Sequence, residues 1–131
     1  MEYIKQYIAD AKQIIDMIDI EQIQMMINLL NNLKDSKGRL FILGVGGGAG
    51  HASHAVNDFR KICGIEAYAP TDNVSELTAR INDDGWDTAY LNWLKGSNLG
   101  NDDALLVFSV GGGNFEKRIS VNIVNSLQYA K

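Results

Sequence analysis

His51, His54 and Asp58 are the residues of this chain best suited to chemistry, and they stand three and four positions apart. On a helix that spacing puts all three on one face. Two imidazoles and a carboxylate there could hold a divalent metal, since nitrogen and oxygen donors suit zinc and related ions. A carboxylate beside a bound sugar could instead act as a general base, taking a proton from carbon next to a carbonyl. A solvated helix face is the plain alternative. The two histidines are the only ones in the chain, and both fall just behind the glycine-rich run Gly44-Val45-Gly46-Gly47-Gly48-Ala49-Gly50.

That run follows the apolar stretch Arg39–Leu43, and a second one repeats the arrangement. Ala104–Val110 leads into Gly111-Gly112-Gly113-Asn114. A bare glycine turn lets the backbone pass close to a ligand, and a helix start behind it presents unpaired N–H groups and a positive dipole end. Strand, turn and helix together make an anion cradle, most often for phosphate. Two cradles in one short chain point to a phosphorylated small molecule held between neighbouring strand ends. Ser109 closes the second strand candidate with a hydroxyl near its cradle, and Asn114 stands where the following helix is expected to begin. Either could bond a phosphate, and Asn114 could equally be a helix cap. Asn82-Asp83-Asp84-Gly85 combines turn chemistry with acceptors able to orient sugar hydroxyls.

Elements that would position these groups are legible in the apolar spacing. Residues 3–18 carry Ile4, Tyr7, Ile8, Ala11, Ile14, Ile15 and Ile18 at helical steps. A second helix starts near Asp19, with Gln22 completing a capping box, and ends at Ser36-Lys37-Gly38, where Gly38 is the expected left-handed cap. Strand one is about 39–43 and a helix covers about 49–62. A short strand over 65–69 stops at Pro70, and Thr71-Asp72-Asn73 caps a helix over 74–82. A further helix spans Trp86 to Leu94, strand three is 104–110, and the last helix runs from about 114 to the end. Trp86, Tyr90 and Trp93 read as core or interface residues.

This alternation predicts an α/β fold: a three-layer αβα sandwich with a parallel sheet, of the flavodoxin-like or Rossmann-like kind, preceded by two helices. Residues 1–131 read as a single domain, with a helical segment over 1–37 and an α/β part over 38–131. The leading helices carry more apolar surface than three strands would cover, which suggests a homo-oligomer, a dimer or tetramer joined through them.

Net charge is −4, so a broad electrostatic footprint for nucleic acid is not expected, and an anion must be bound by local N–H groups and hydroxyls. No stretch is long and apolar enough to span a membrane, and the N-terminus does not read as a signal peptide, so a cytoplasmic protein is the default. Cys63 is the single cysteine, expected as a small buried apolar residue at a helix end. Gly44-x-Gly46-x-x-Ala49 also fits a dinucleotide fingerprint. That reading needs an acidic residue at the end of the second strand, whereas Glu66 lies at its start and Asp72 beyond Pro70; no nucleotide cofactor is expected.

These motifs resemble those of the sugar isomerase (SIS) domains, most closely the phosphoheptose isomerases, along the whole chain. The resemblance rests on two leading helices, a Gly-Asn-Gly-Gly-Ser loop, an Asn-Asp turn and a Ser-Thr-Ser-Gly-Asn-Ser loop after a later strand. It implies an SIS-like fold and aldose–ketose isomerisation of sedoheptulose 7-phosphate through an enediol, serving lipopolysaccharide or capsule heptose synthesis. Such proteins are typically cytoplasmic, tetrameric and often zinc-dependent.

Carried over residue by residue, the resemblance makes Val45, Gly46, Gly47 and Gly48 the first substrate loop, with Val45 for asparagine and Gly48 for serine. The metal-binding histidine falls on His54, with His51 a possible further ligand. The glutamate that is both ligand and catalytic base falls on Asp58. Asn82 and Asp83 keep the Asn-Asp turn. Ser109 is kept in the phosphate loop, Val110 and Gly111 replace Thr and Ser, and Asn114 takes the last serine's place. The family continues with two further strands and a helix bearing a Gln and a His, beyond the span of this sequence. A non-catalytic SIS module binding a sugar phosphate or a protein partner is the alternative function.

Overall fold

The computed structural model describes all residues, 1–131. The chain divides into two compact units, Met1–Asn32 and Leu33–Lys131. Its elements are helices α1 (Glu2–Asp16) and α2 (Ile20–Asp35), strand β1 (Arg39–Gly44), α3 (Gly47–Asp58), β2 (Glu66–Tyr68), α4 (Val74–Asp84), α5 (Trp86–Gly96), β3 (Ala104–Phe108) and α6 (Val121–Tyr129).

In the first unit, α1 has no buried residue, and Ile4, Tyr7, Ile8, Ile14 and Ile15 all lie exposed. The start of α2 is local chemistry: the Asp19 carboxylate accepts from the N–H groups of Glu21 and Gln22 at 3.0 and 3.1 Å. At its far end the expected cap shifts by one residue. Lys37, not Gly38, takes the left-handed conformation (φ 60°). Gly38 is needed for another reason, because a Cβ there would collide with the Asp102 carbonyl oxygen.

The second unit is the α/β sandwich. Its three strands are all parallel in the order β2-β1-β3, with Phe41 beside Tyr68 on one side and Leu105 on the other. Strand β1 is central and buried almost throughout, as expected for a parallel strand covered on both faces. Successive side chains alternate between the faces. Phe41 and Leu43 join Ala89, Tyr90, Trp93 and Leu94 of α5 and Ile123 of α6 in one core. Leu40 and Ile42 fill the opposite face, where α3 packs on β1.

One ion pair aligns the strand starts. Asp103 accepts from the Arg39 backbone N–H (3.0 Å), while the Arg39 guanidinium contacts both of its carboxylate oxygens (3.0 and 2.7 Å). Burial opposes ionisation of Asp103, but the Arg39 side chain and the N–H groups of Gly100 and Arg39 hold it below the usual carboxylate range.

Past α3 the helix widens into a π-helical turn over Phe59–Cys63, closed by the Gly64 N–H donating to the Phe59 carbonyl. Widening alters the angular step per residue and turns the face outward, so Ile62 and Cys63 are exposed, against the expected buried cysteine. No helix is long and apolar enough to cross a membrane.

Candidate functional site

The first glycine turn forms as the sequence implied. Gly46 adopts φ 58° at the N-cap of α3, a conformation with little room for a side chain. Gly48 donates to the Val45 carbonyl at 3.0 Å, while Ala49 and Gly50 donate to that of Gly46 at 3.0 and 3.2 Å. A Cβ at Gly48 would lie 2.6 Å from the Phe108 carbonyl oxygen. The bare backbone is what lets the start of α3 settle against the end of β3, bringing the two turns side by side.

The second turn departs from expectation. No helix begins at Asn114. Residues 109–120 form an irregular loop closed by a two-residue bridge, in which Asn114 donates its N–H to Ile119 (2.8 Å) and accepts from it in return (2.9 Å). The Asn114 side-chain oxygen is taken by the Lys117 N–H at 2.7 Å. Positive φ at Gly112, Gly113, Arg118 and Ser120 breaks helical continuity, and α6 starts only at Val121. Ser109 folds back, its Oγ accepting from the Gly112 N–H at 3.1 Å, which leaves its own O–H proton for a ligand.

Between the two turns lies a cavity of about 690 Å³. Val45, Gly47, Gly48, Ser109, Val110 and Gly111 line it together with His51, Val107, Phe108, Ser120 and Ile123. Six of the expected ligand-contacting residues therefore meet in one place, with Gly46 supplying the turn beneath them. No lining residue carries a formal charge from Lys, Arg, Asp or Glu, so backbone N–H groups, hydroxyls and one imidazole are what an anion would find there.

Other expected site residues stand elsewhere. His54 Nε2 lies 3.3 Å from Asp58 Oδ2 on the solvent side of α3, and neither lines the cavity. No three His, Cys, Asp or Glu side chains gather closely enough to hold a metal, so His51 does not join that pair. Asn82 and Asp83 belong to the last turn of α4 rather than to a loop, joined by an Asn82 Nδ2–Asp83 Oδ1 bond of 2.8 Å. The chain turns one step later, at Gly85 (φ 81°). Asp72 accepts the Ser53 hydroxyl, linking the segment after β2 to α3.

Against known proteins, no family model matches the chain, and no curated protein matches its sequence. Solved structures do match. The phosphoheptose isomerase of Neisseria gonorrhoeae superposes with a TM-score of 0.82 at 26% identity, over 98% of this chain and 68% of that one. A phosphoheptose isomerase from Francisella tularensis gives 0.70 at 22% identity, over 98% of this chain and 67% of that one. The fold is of the phosphoheptose isomerase type.

Among the contributors to the site that escaped the sequence reading are Ser120, Phe108 and Tyr90. Ser120, a serine just before the apolar positions Val121 and Ile123, carried the ordinary signal of a helix start and brings the first turn of α6 to the cavity. Phe108 stacks edge-to-face on His51, the ring centroids 6.4 Å apart. Tyr90 donates its hydroxyl to the Gly44 carbonyl at 2.7 Å, anchoring α5 to the start of the glycine turn. Burial pushes the Tyr90 phenol up to about 12. Its helical spacing with Trp86 and Trp93 identified a core ring but not this bond, whose partner is distant in sequence.

Proposed function

We propose that this chain acts on a phosphorylated sugar as an aldose–ketose isomerase of the sedoheptulose 7-phosphate isomerase type. The observation that carries the proposal is the meeting of both glycine turns in one cavity within a phosphoheptose isomerase-type fold. A phosphate ester would sit at the first turn of α3, where the positive end of the helix dipole favours an anion. Asp58 lies seven residues beyond His51, so about 10 Å farther along the helix at about 1.5 Å per residue. An extended seven-carbon sugar phosphate has that reach, which would set its carbonyl end near Asp58.

There the Asp58 carboxylate would take a proton from the carbon bearing the hydroxyl and return it to the neighbouring carbonyl carbon, through an enediol. The oxygens need a matching proton transfer from a second acid. Zinc would find one nitrogen and one oxygen donor in His54 and Asp58, half of a tetrahedral set, and when bound would polarise the sugar oxygens. Asn82 and Asp83, near the end of α4, would orient sugar hydroxyls. A role in cytoplasmic synthesis of surface-polysaccharide heptose, in a dimer or tetramer joined through α1 and α2, belongs to the same proposal.

A specific observation favours a second reading, a sugar-phosphate-binding module without turnover. His54 and Asp58 face each other outside the cavity, and hydroxyls are missing at Gly48, Val110 and Gly111. Incubation of the purified chain with sedoheptulose 7-phosphate and zinc, followed by NMR, separates the two. Appearance of the aldose, lost in Asp58→Asn, supports the isomerase. Saturable binding with no aldose supports the module, and no binding at all refutes both.

A further inference from the structure

We propose that His51 is the side chain that recognises the anionic group of the ligand, donating an imidazole N–H to a phosphate-ester oxygen held between the two glycine turns. The inference rests on the cavity being the phosphosugar site and assigns to His51 a ligand contact in place of metal binding. Four observations converge on it. His51 is the one cavity-lining residue with a titratable side chain. Its ring packs edge-to-face on Phe108 at an interplanar angle of 79°, which sets it at the end of β3, beside the second turn. His54, three residues on, pairs with Asp58 farther along the helix and outside the cavity, so of the two histidines only His51 lines it.

The fourth observation is what the turns lack. The first turn cannot carry a hydroxyl at position 48, because a Cβ there meets the Phe108 carbonyl oxygen at 2.6 Å. In the second, the Ser109 oxygen accepts the Gly112 N–H and keeps a single O–H to donate, and Val110 and Gly111 bring no side-chain donor. His51 supplies a donor where side-chain hydroxyls are scarce. A neutral imidazole carries one N–H, and the tautomer that turns it toward the cavity is the one that donates to the phosphate oxygen.

The test uses the metal-free chain of residues 1–131 and three probes in NMR titrations: sedoheptulose 7-phosphate, unphosphorylated sedoheptulose and inorganic phosphate. In the wild type, the ester should shift the amides of Gly47, Gly48, Ser109 and Gly111 and the ring nitrogens of His51. His51→Ala should weaken ester and inorganic phosphate binding about tenfold or more, with His51→Gln regaining part of the loss through its amide donor. Affinity for the unphosphorylated sugar should be the same in all three proteins. If the ester still shifts the glycine amides but binds His51→Ala within about twofold of the wild type, the His51 contact is refuted and the cavity reading survives. If the wild type shows no shifts at the glycine turns, the cavity reading fails and His51 with it. Should His51→Ala not fold, the His51→Gln affinities and the wild-type ring shifts decide the matter.

Discussion

The Tyr90 hydroxyl donates to the Gly44 carbonyl at 2.7 Å, tying the middle of α5 to the last residue of the central strand. Both residues are buried, so this bond holds the glycine turn in place from below. Removing the hydroxyl leaves an unpaired carbonyl oxygen in the interior, at a cost of about 1–3 kcal/mol. Tyr90→Phe should therefore lower the melting temperature by several degrees. Burial of the same phenol predicts an alkaline limb. The folded phenol titrates near 12 against about 10 when unfolded, so its contribution is fully present below pH 10 and fades as pH rises toward 12. Denaturant titrations across that window should show the fade in the wild type, and its persistence in Tyr90→Phe would disprove the assignment.

Gly48 and the Phe108 carbonyl make the contact that closes the two turns onto one cavity. Gly48→Ser restores the residue expected from the resemblance, yet its Cβ must push against backbone. We expect destabilisation of about 1–3 kcal/mol, read by thermal melting, together with weaker sugar-phosphate binding. Gly47→Ala is the contrast: a Cβ there meets nothing within 4 Å and φ is not positive, so stability should barely change. Equal melting temperatures for the two variants would mean that the close approach at Gly48 is absent in solution.

Ile8 and Ile15 lie seven residues apart on one side of α1, 48% and 64% exposed, among ten other bare apolar side chains of α1 and α2. So much apolar surface calls for a partner, and a second copy of the chain is the one proposed. Light scattering should report a dimer or tetramer. The double variant Ile8→Asp, Ile15→Asp should shift it toward monomer while leaving the circular dichroism of the folded chain unchanged. A monomeric wild type at micromolar concentration would rule the proposal out.

What could be read from the chain alone was what depends on neighbours in sequence. Helix caps such as Asp19 and Asn73 bond N–H groups two or three residues on, and the Asn73 cap on Glu76 at 3.2 Å forms as its residue type implies. Apolar periodicity marked α1 and α2, and the runs 39–43 and 104–110 marked two of the strands. Glycine clustering marked the two turns for the same local reason: Gly46, Gly112 and Gly113 take positive φ, which a residue without Cβ adopts at least cost.

Tertiary structure decided the rest, because it depends on contacts between distant segments. The strand order β2-β1-β3 sets the two turns side by side, and the approach of Gly48 to Phe108 then divides the helix face His51–His54–Asp58 between cavity and solvent. Asn114 was expected to start a helix, but its backbone found a partner in Ile119 and its side chain one in Lys117. Residue types stated which groups were available. Only packing determined which of them share a space, since side-chain proximity across the sheet follows from buried area and backbone pairing that no short window of sequence contains.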